Sequence, residues 1–135
     1  MLYPGTIVDP VNAASRHGVD PLRLYLVKEI VFGGDGDFSW ERFDERYNTD
    51  LANNLGNLVS RVTAMAHQYR HGRLTPAGET SRRLSDSADE VITAYQQAMD
   101  RLAVNEAVAL VFRLIDATNL HIAETTPWFL AKDPS

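Results

Sequence analysis

The sequence predicts an all-α protein: an antiparallel helix bundle preceded by a small mixed α/β segment. Three observations lead there. Apolar residues recur every three or four positions over most of the chain, from Phe43 to Tyr69 and again beyond Leu84. Three Asp-Pro or Thr-Pro pairs, Asp9-Pro10, Asp20-Pro21 and Thr126-Pro127, place a capping oxygen just before a proline. A glycine-rich break, Phe32-Gly33-Gly34-Asp35-Gly36-Asp37-Phe38-Ser39, separates a short N-terminal part from the long periodic one.

Taken in order, Thr6-Ile7-Val8 reads as a very short strand. A first helix follows from Pro10 to about His17, with Gly18 as a left-handed cap. A second runs from Pro21 to about Ile30, with Leu22, Tyr25, Leu26 and Ile30 on one face. Phe38 closes a second short strand. Ser39 caps a long helix, helped by Glu41 in its first turn. Its apolar stripe is Phe43, Tyr47, Leu51, Leu55, Leu58, Val59, Val62, Met65, Ala66 and Tyr69, and Gly72 ends it. Leu74 to Ser81 is a linker. A third long helix buries Leu84, Ala88, Val91, Ile92, Tyr95, Met99 and Leu102. Asn105 caps a fourth, which turns Val108, Val111, Phe112, Ile115 and Ile122 inward. Thr126-Pro127 opens a fifth that reaches Ser135 in about two turns. A bundle of this make-up is truncated at its C-terminal end and leaves apolar surface exposed. The expected division is a segment over 1–39 and a helical domain over 40–135.

Bulk properties narrow the function. The chain has 135 residues, 44% hydrophobic and 23% charged, as one ordinary globular domain would. Without cysteine there is no disulfide, thiolate metal site or thiol nucleophile. No apolar run approaches the roughly 18 residues that span a bilayer. Met1-Leu2-Tyr3-Pro4-Gly5 lacks the features of a signal peptide, so a cytoplasmic protein is expected. A net charge of −5 argues against broad, sequence-independent grip on DNA or RNA. Any nucleic-acid role therefore rests on a few placed side chains.

Asp35-Gly36-Asp37 lacks the further ligands of a calcium loop, and Gly33-Gly34-Asp35-Gly36 lacks the Lys-Ser/Thr of a phosphate cradle. His67 and His71 lie one helical turn apart, a chelating spacing, but with no third ligand nearby. They fit better at a helix C-terminus, where positive charge is favoured. No Ser/His/Asp set is present, so no catalytic residue and no metal site are expected. Asn53, Asn57 and Arg61 recur every four residues on one flank of the long helix. A two-way amide and a planar fork suit a base edge, and they equally suit a solvated face with a helix-to-helix hydrogen bond. Trp128, at the start of the last helix, is either a core residue or a platform for an unstacked base.

Several stretches resemble one family. Gly5-Thr6-Ile7-Val8-Asp9-Pro10 and His17-Gly18-Val19-Asp20-Pro21-Leu22-Arg23 resemble the segment after the KMSKS signature of class I aminoacyl-tRNA synthetases. Glu29 to Ser39, Asn48 to Leu58 with Arg61, and Thr126-Pro127-Trp128-Phe129-Leu130-Ala131-Lys132 resemble methionyl-tRNA synthetases specifically. The likeness is patchy from Arg73 to Met99 and otherwise runs in register from Gly5 to Lys132.

The resemblance implies a stem-contact segment at about Gly5 to Ser39 and an anticodon-binding helical domain after it. It implies that Asn57 and Arg61 hydrogen-bond anticodon bases or their backbone and that Trp128 stacks on the first base of a CAU anticodon. The implied partners are methionine tRNA and a catalytic domain, in cis or in trans. The parent activity is ATP-dependent attachment of methionine to tRNA, with Mg or Zn in the parent enzyme. The HIGH signature has no counterpart here, and Met1-Leu2-Tyr3-Pro4 stands where KMSKS would lie. The chain alone is therefore expected to bind no cofactor and to form no methionyl-adenylate. The alternatives are an assembly fragment that packs on a separate catalytic chain, and a non-functional remnant.

Overall fold

A computed structural model describes residues 8–29, 37–74, 76 and 78–132. Among the described residues every regular element is helical. The expected strand at Thr6–Val8 lies largely outside them, and Val8 belongs to no element. The Gly33–Gly36 loop also lies outside. Phe38 forms no strand; it packs its ring against Tyr25, Trp40 and Phe43 at 5.1–5.7 Å. An aromatic beside other aromatics gains more by burial than a lone strand end gains from unpaired backbone.

Helix α1 spans Pro10–His17 and α2 spans Val19–Glu29. Asp9 caps α1 through its carboxylate, which accepts from the Val11 N–H at 3.0 Å. Gly18, at φ 103° and ψ 167°, ends it with a positive φ that favours glycine, though not in the left-handed helical cap expected. The start of α2 departs from the expected cap: Val19 is already helical, and Asp20 and Pro21 sit inside the first turn. A first-turn proline forfeits no intrahelical hydrogen bond, so the chain bends at Gly18 and resumes helix at once.

The long helix is built in three parts that follow without a break. Helix α3 covers Trp40–Arg46, a π-helical segment covers Tyr47–Gly56, and α4 covers Asn57–Arg70. Ser39 caps α3, its hydroxyl oxygen accepting from the Arg42 N–H at 3.3 Å. The π segment was not expected, because its residues keep apolar spacing compatible with an α-helix. Its wide turns show in the backbone: the Asn57 N–H reaches five residues back to the Ala52 carbonyl. His71, at φ 52°, and Gly72, at φ 75°, close α4, with the Gly72 N–H donating to the Ala66 carbonyl at 3.0 Å.

A 3-10 turn at Glu79–Ser81 leads into α5 (Arg82–Asp100), which pairs with α6 (Val104–Thr125); α7 is the single turn Pro127–Leu130. Here four expectations are corrected. Helix α5 turns Leu84, Ala88, Val91, Ala94 and Ala98 toward its neighbour, while Ile92, Tyr95, Met99 and Leu102 stay exposed. Alanines let the backbones of α5 and α6 approach, and that close pairing wins over burying larger side chains on the neighbouring face. Val111 of α6 is exposed for the same reason. Asn105 caps nothing, since α6 begins one residue earlier after Ala103. Thr126 makes no side-chain cap either; it sits at φ 41° and ends α6 as it opens α7.

Two apolar clusters hold the described part together. One joins α1, α2 and α3 through Ala13, Leu22, Tyr25 and Phe43. The other joins α4 and α6 through Leu58, Ile115 and Ile122, with Leu55, Met65, Phe112 and Trp128 packed against it. Ion pairs tie α2 and α1 to the long helix. Glu29 meets Arg46 at 2.7 Å and Arg42 at 3.5 Å, Lys28 meets Asp50 at 2.6 Å, and Asp44 accepts from both Arg16 and His17. The Arg16 and His17 hydrogen bonds hold the Asp44 carboxyl below its ordinary value of 3.8. Among the described residues no helix is long and apolar enough to cross a membrane.

Candidate nucleic-acid interface

Asn57 is the first residue of α4 and is exposed; Arg61, one turn on, is half-buried. Leu58, between them on the helix, is buried at 8% exposure in the second apolar cluster. Trp128 packs against the same cluster from α7. The fold thus brings Trp128, seventy residues away in sequence, to the cluster that anchors the Asn57–Arg61 turn. Trp128 remains half-buried, with its ring tilted 47° to Phe129 at 6.4 Å. It is neither a fully enclosed core residue nor a free-standing one.

The helix-to-helix hydrogen bond falls to a residue that the spacing argument passed over. Asn54 donates from Nδ2 to Asp116 Oδ1 at 2.7 Å and accepts at Oδ1 from Asn119 Nδ2 at 2.8 Å. Asn54 thereby fastens the long helix to α6. Asn53, expected to stack with Asn57 and Arg61, is exposed and lies in the π segment. Among the described residues neither the Asn57 nor the Arg61 side chain has a hydrogen-bond or ion-pair partner. A half-buried guanidinium without a carboxylate partner is an electropositive point on a chain whose net charge is −5.

His67 lies in the last turn of α4 and His71 at its cap. Among the described residues no group of three or more His, Asp or Glu side chains is placed to hold a metal ion.

Residues 4–63 match the family of class I tRNA synthetases of the methionine type. The chain is 44% identical over 135 aligned positions to the methionine–tRNA ligase of Bacillus subtilis strain 168, covering 97% of this chain and 20% of that protein. It is 42% identical over 134 positions to the enzyme of Listeria monocytogenes serotype 4b strain F2365, with 96% and 20% covered. The chain is a homologue of part of methionyl-tRNA synthetase. Solved methionyl-tRNA synthetases share the fold. The Mycobacterium tuberculosis enzyme bound by methionyl-adenylate superposes with a TM-score of 0.88 at 33% identity, over 99% of this chain and 27% of that one. The free state of that enzyme gives 0.86 at 33% identity, over 96% and 27%. The chain thus spans about a fifth of the length of the relatives it matches. It resembles one region of those enzymes and is all-helical wherever it is described.

Proposed function

We propose that this region recognises the CAU anticodon of methionine tRNA for a methionine–tRNA ligase. Asn57 and Arg61 hydrogen-bond the anticodon, and Trp128 stacks on its first base. The observation that carries the reading is the shared anchoring of these three side chains. An exposed amide and an unpaired guanidinium lie one turn apart on α4, and a half-buried indole sits on the cluster that holds that turn. Stacking on an aromatic contributes roughly 1–3 kcal/mol, and a bidentate base contact a similar amount. Three such contacts discriminate an anticodon without the dense positive charge that this chain lacks. Methionine activation and transfer belong to the remaining length of the relatives, and ATP is consumed there.

The test is binding of the purified chain to an unmodified CAU anticodon stem-loop, beside a loop with one anticodon base changed. Preference for the CAU loop, lost in Trp128→Ala, is the expected result. Equal binding to both loops by a chain that circular dichroism shows to be helical would refute it. A second reading draws on the exposed Ile92, Tyr95, Met99 and Val111: the α5–α6 pair packs against the catalytic part of the ligase. Co-purification with that part, unaffected by salt, would favour it.

A further inference from the structure

We propose that the Lys28–Asp50 pair is a positioning device that sets the roll of the long helix, and with it the aim of Asn57 and Arg61. The inference rests on the anticodon reading for its function but has a structural readout of its own.

Among the described residues Asp50 is the one buried polar side chain, at 7% exposure. It sits in the π segment, facing α2, and Lys28 Nζ meets its Oδ2 at 2.6 Å. The same ammonium lies 4.0 Å from the centre of the Phe112 ring on α6. One cation therefore touches three helices: it belongs to α2, binds the π segment and rests on α6. One turn along, Asn54 bonds Asp116 and Asn119 of α6. No buried side-chain polar atom among the described residues is left without a partner.

A buried ion pair is weak evidence for stability. Desolvating both charges cancels most of their attraction, and an apolar pair of similar volume often holds a fold as well or better. What an apolar pair lacks is direction. Hydrophobic burial is indifferent to small rotations of a helix about its axis, whereas a charged hydrogen bond at 2.6 Å is not. The long helix needs such a device, because its π turns relax the ordinary i to i+4 ladder just where the helix crosses α2 and α6. A helix with side chains is about 10–12 Å across, so a roll of about 20° moves a side-chain tip by about 2 Å. Binding constellations tolerate only about 0.5 Å. Asp50 and Asn54 grip the inward face of the continuous helix whose next turns carry Asn57 and Arg61, so its roll aims those two side chains.

The decisive variant is the double substitution Lys28→Met with Asp50→Leu, which keeps side-chain branching and removes direction. It is expected to melt no lower than the parent. Its Asn57 side-chain amide and Arg61 Nε signals in heteronuclear NMR are expected to shift or broaden, while those of Gln96 and Gln97 on α5 stay in place. Preference for the CAU stem-loop over the changed loop is expected to fall at least about tenfold. A folded double variant with unmoved Asn57 and Arg61 signals and parental loop preference overturns the proposal. Should that variant not fold, Asp50→Asn at a temperature where it is fully helical supplies the same readouts, and Asp50→Glu should restore part of the loss. If the parent chain itself ignores the anticodon, the anticodon reading falls. The two NMR signals then decide the positioning role alone.

Discussion

Gly56→Ala is the substitution for which helix propensity and this structure predict opposite signs. Gly56 has ordinary right-handed helical angles, φ −62° and ψ −42°, and lies inside a helix that continues on both sides. On propensity alone, alanine there should stabilise the protein by about 1 kcal/mol. The structure places a Cβ at this position 2.8 Å from the Leu51 carbonyl oxygen and 3.8 Å from its carbon. That oxygen is backbone, five residues earlier, which is where a π turn brings a carbonyl. It cannot swing away as a side chain could. Overpacking of this kind costs about 1–3 kcal/mol, so the propensity gain is cancelled and a net loss of up to about 2 kcal/mol remains. For a chain of this size that is a fall in Tm of a few degrees, roughly 3–6 °C per kcal/mol. The assay is urea denaturation followed by circular dichroism, beside Gly78→Ala as a control, since nothing lies within 4 Å of a Cβ at Gly78. A Gly56→Ala chain about 1 kcal/mol more stable than the parent would refute the reasoning and show an ordinary α-helix through residues 47–56.

Other expectations follow from the packing and the caps. Phe43 is 1% exposed and touches the rings of Tyr25, Phe38 and His17, so Phe43→Ala should cost about 3–5 kcal/mol and leave the N-terminal cluster unformed in near-UV circular dichroism. His71 bears a side chain in the left-handed region, so His71→Gly should stabilise the chain by roughly 0.5–1 kcal/mol, read as a higher denaturation midpoint. The Asp44 carboxyl is held below its ordinary value by Arg16 first and His17 second, so its contribution is present above about pH 4 and is lost as pH falls through the depressed value. The stability difference between parent and Asp44→Asn should therefore be largest near neutrality and shrink as pH falls below about 4, in denaturation midpoints taken across the acid range.

Much of the fold was legible because local rules wrote it. Asp9-Pro10, Gly18 and Ser39 act as their residue types predict, since a cap depends on a hydrogen bond spanning two or three residues and a turn on one residue's allowed angles. The apolar spacing of the long helix survives through the π segment, so the sequence located that helix without revealing its winding. Asn57, Arg61 and Trp128 stood out by residue type and by likeness to a family. Nothing local said that Trp128 would lie on the cluster beside Leu58.

The sequence by itself determined that the chain is helical, roughly where its helices lie and which family it resembles, because periodicity and motifs are short-range. Only the tertiary structure decided which face of each helix is buried. Ala94 and Ala98 face α6 in place of Tyr95 and Met99, because close approach of two backbones outweighs the size of a single side chain. It alone paired Lys28 with Asp50, twenty-two residues apart, and gave the inter-helix bond to Asn54 rather than Asn57. Directional bonds between distant residues form only once packing has set the helices side by side, and no local pattern encodes which partner will be within reach.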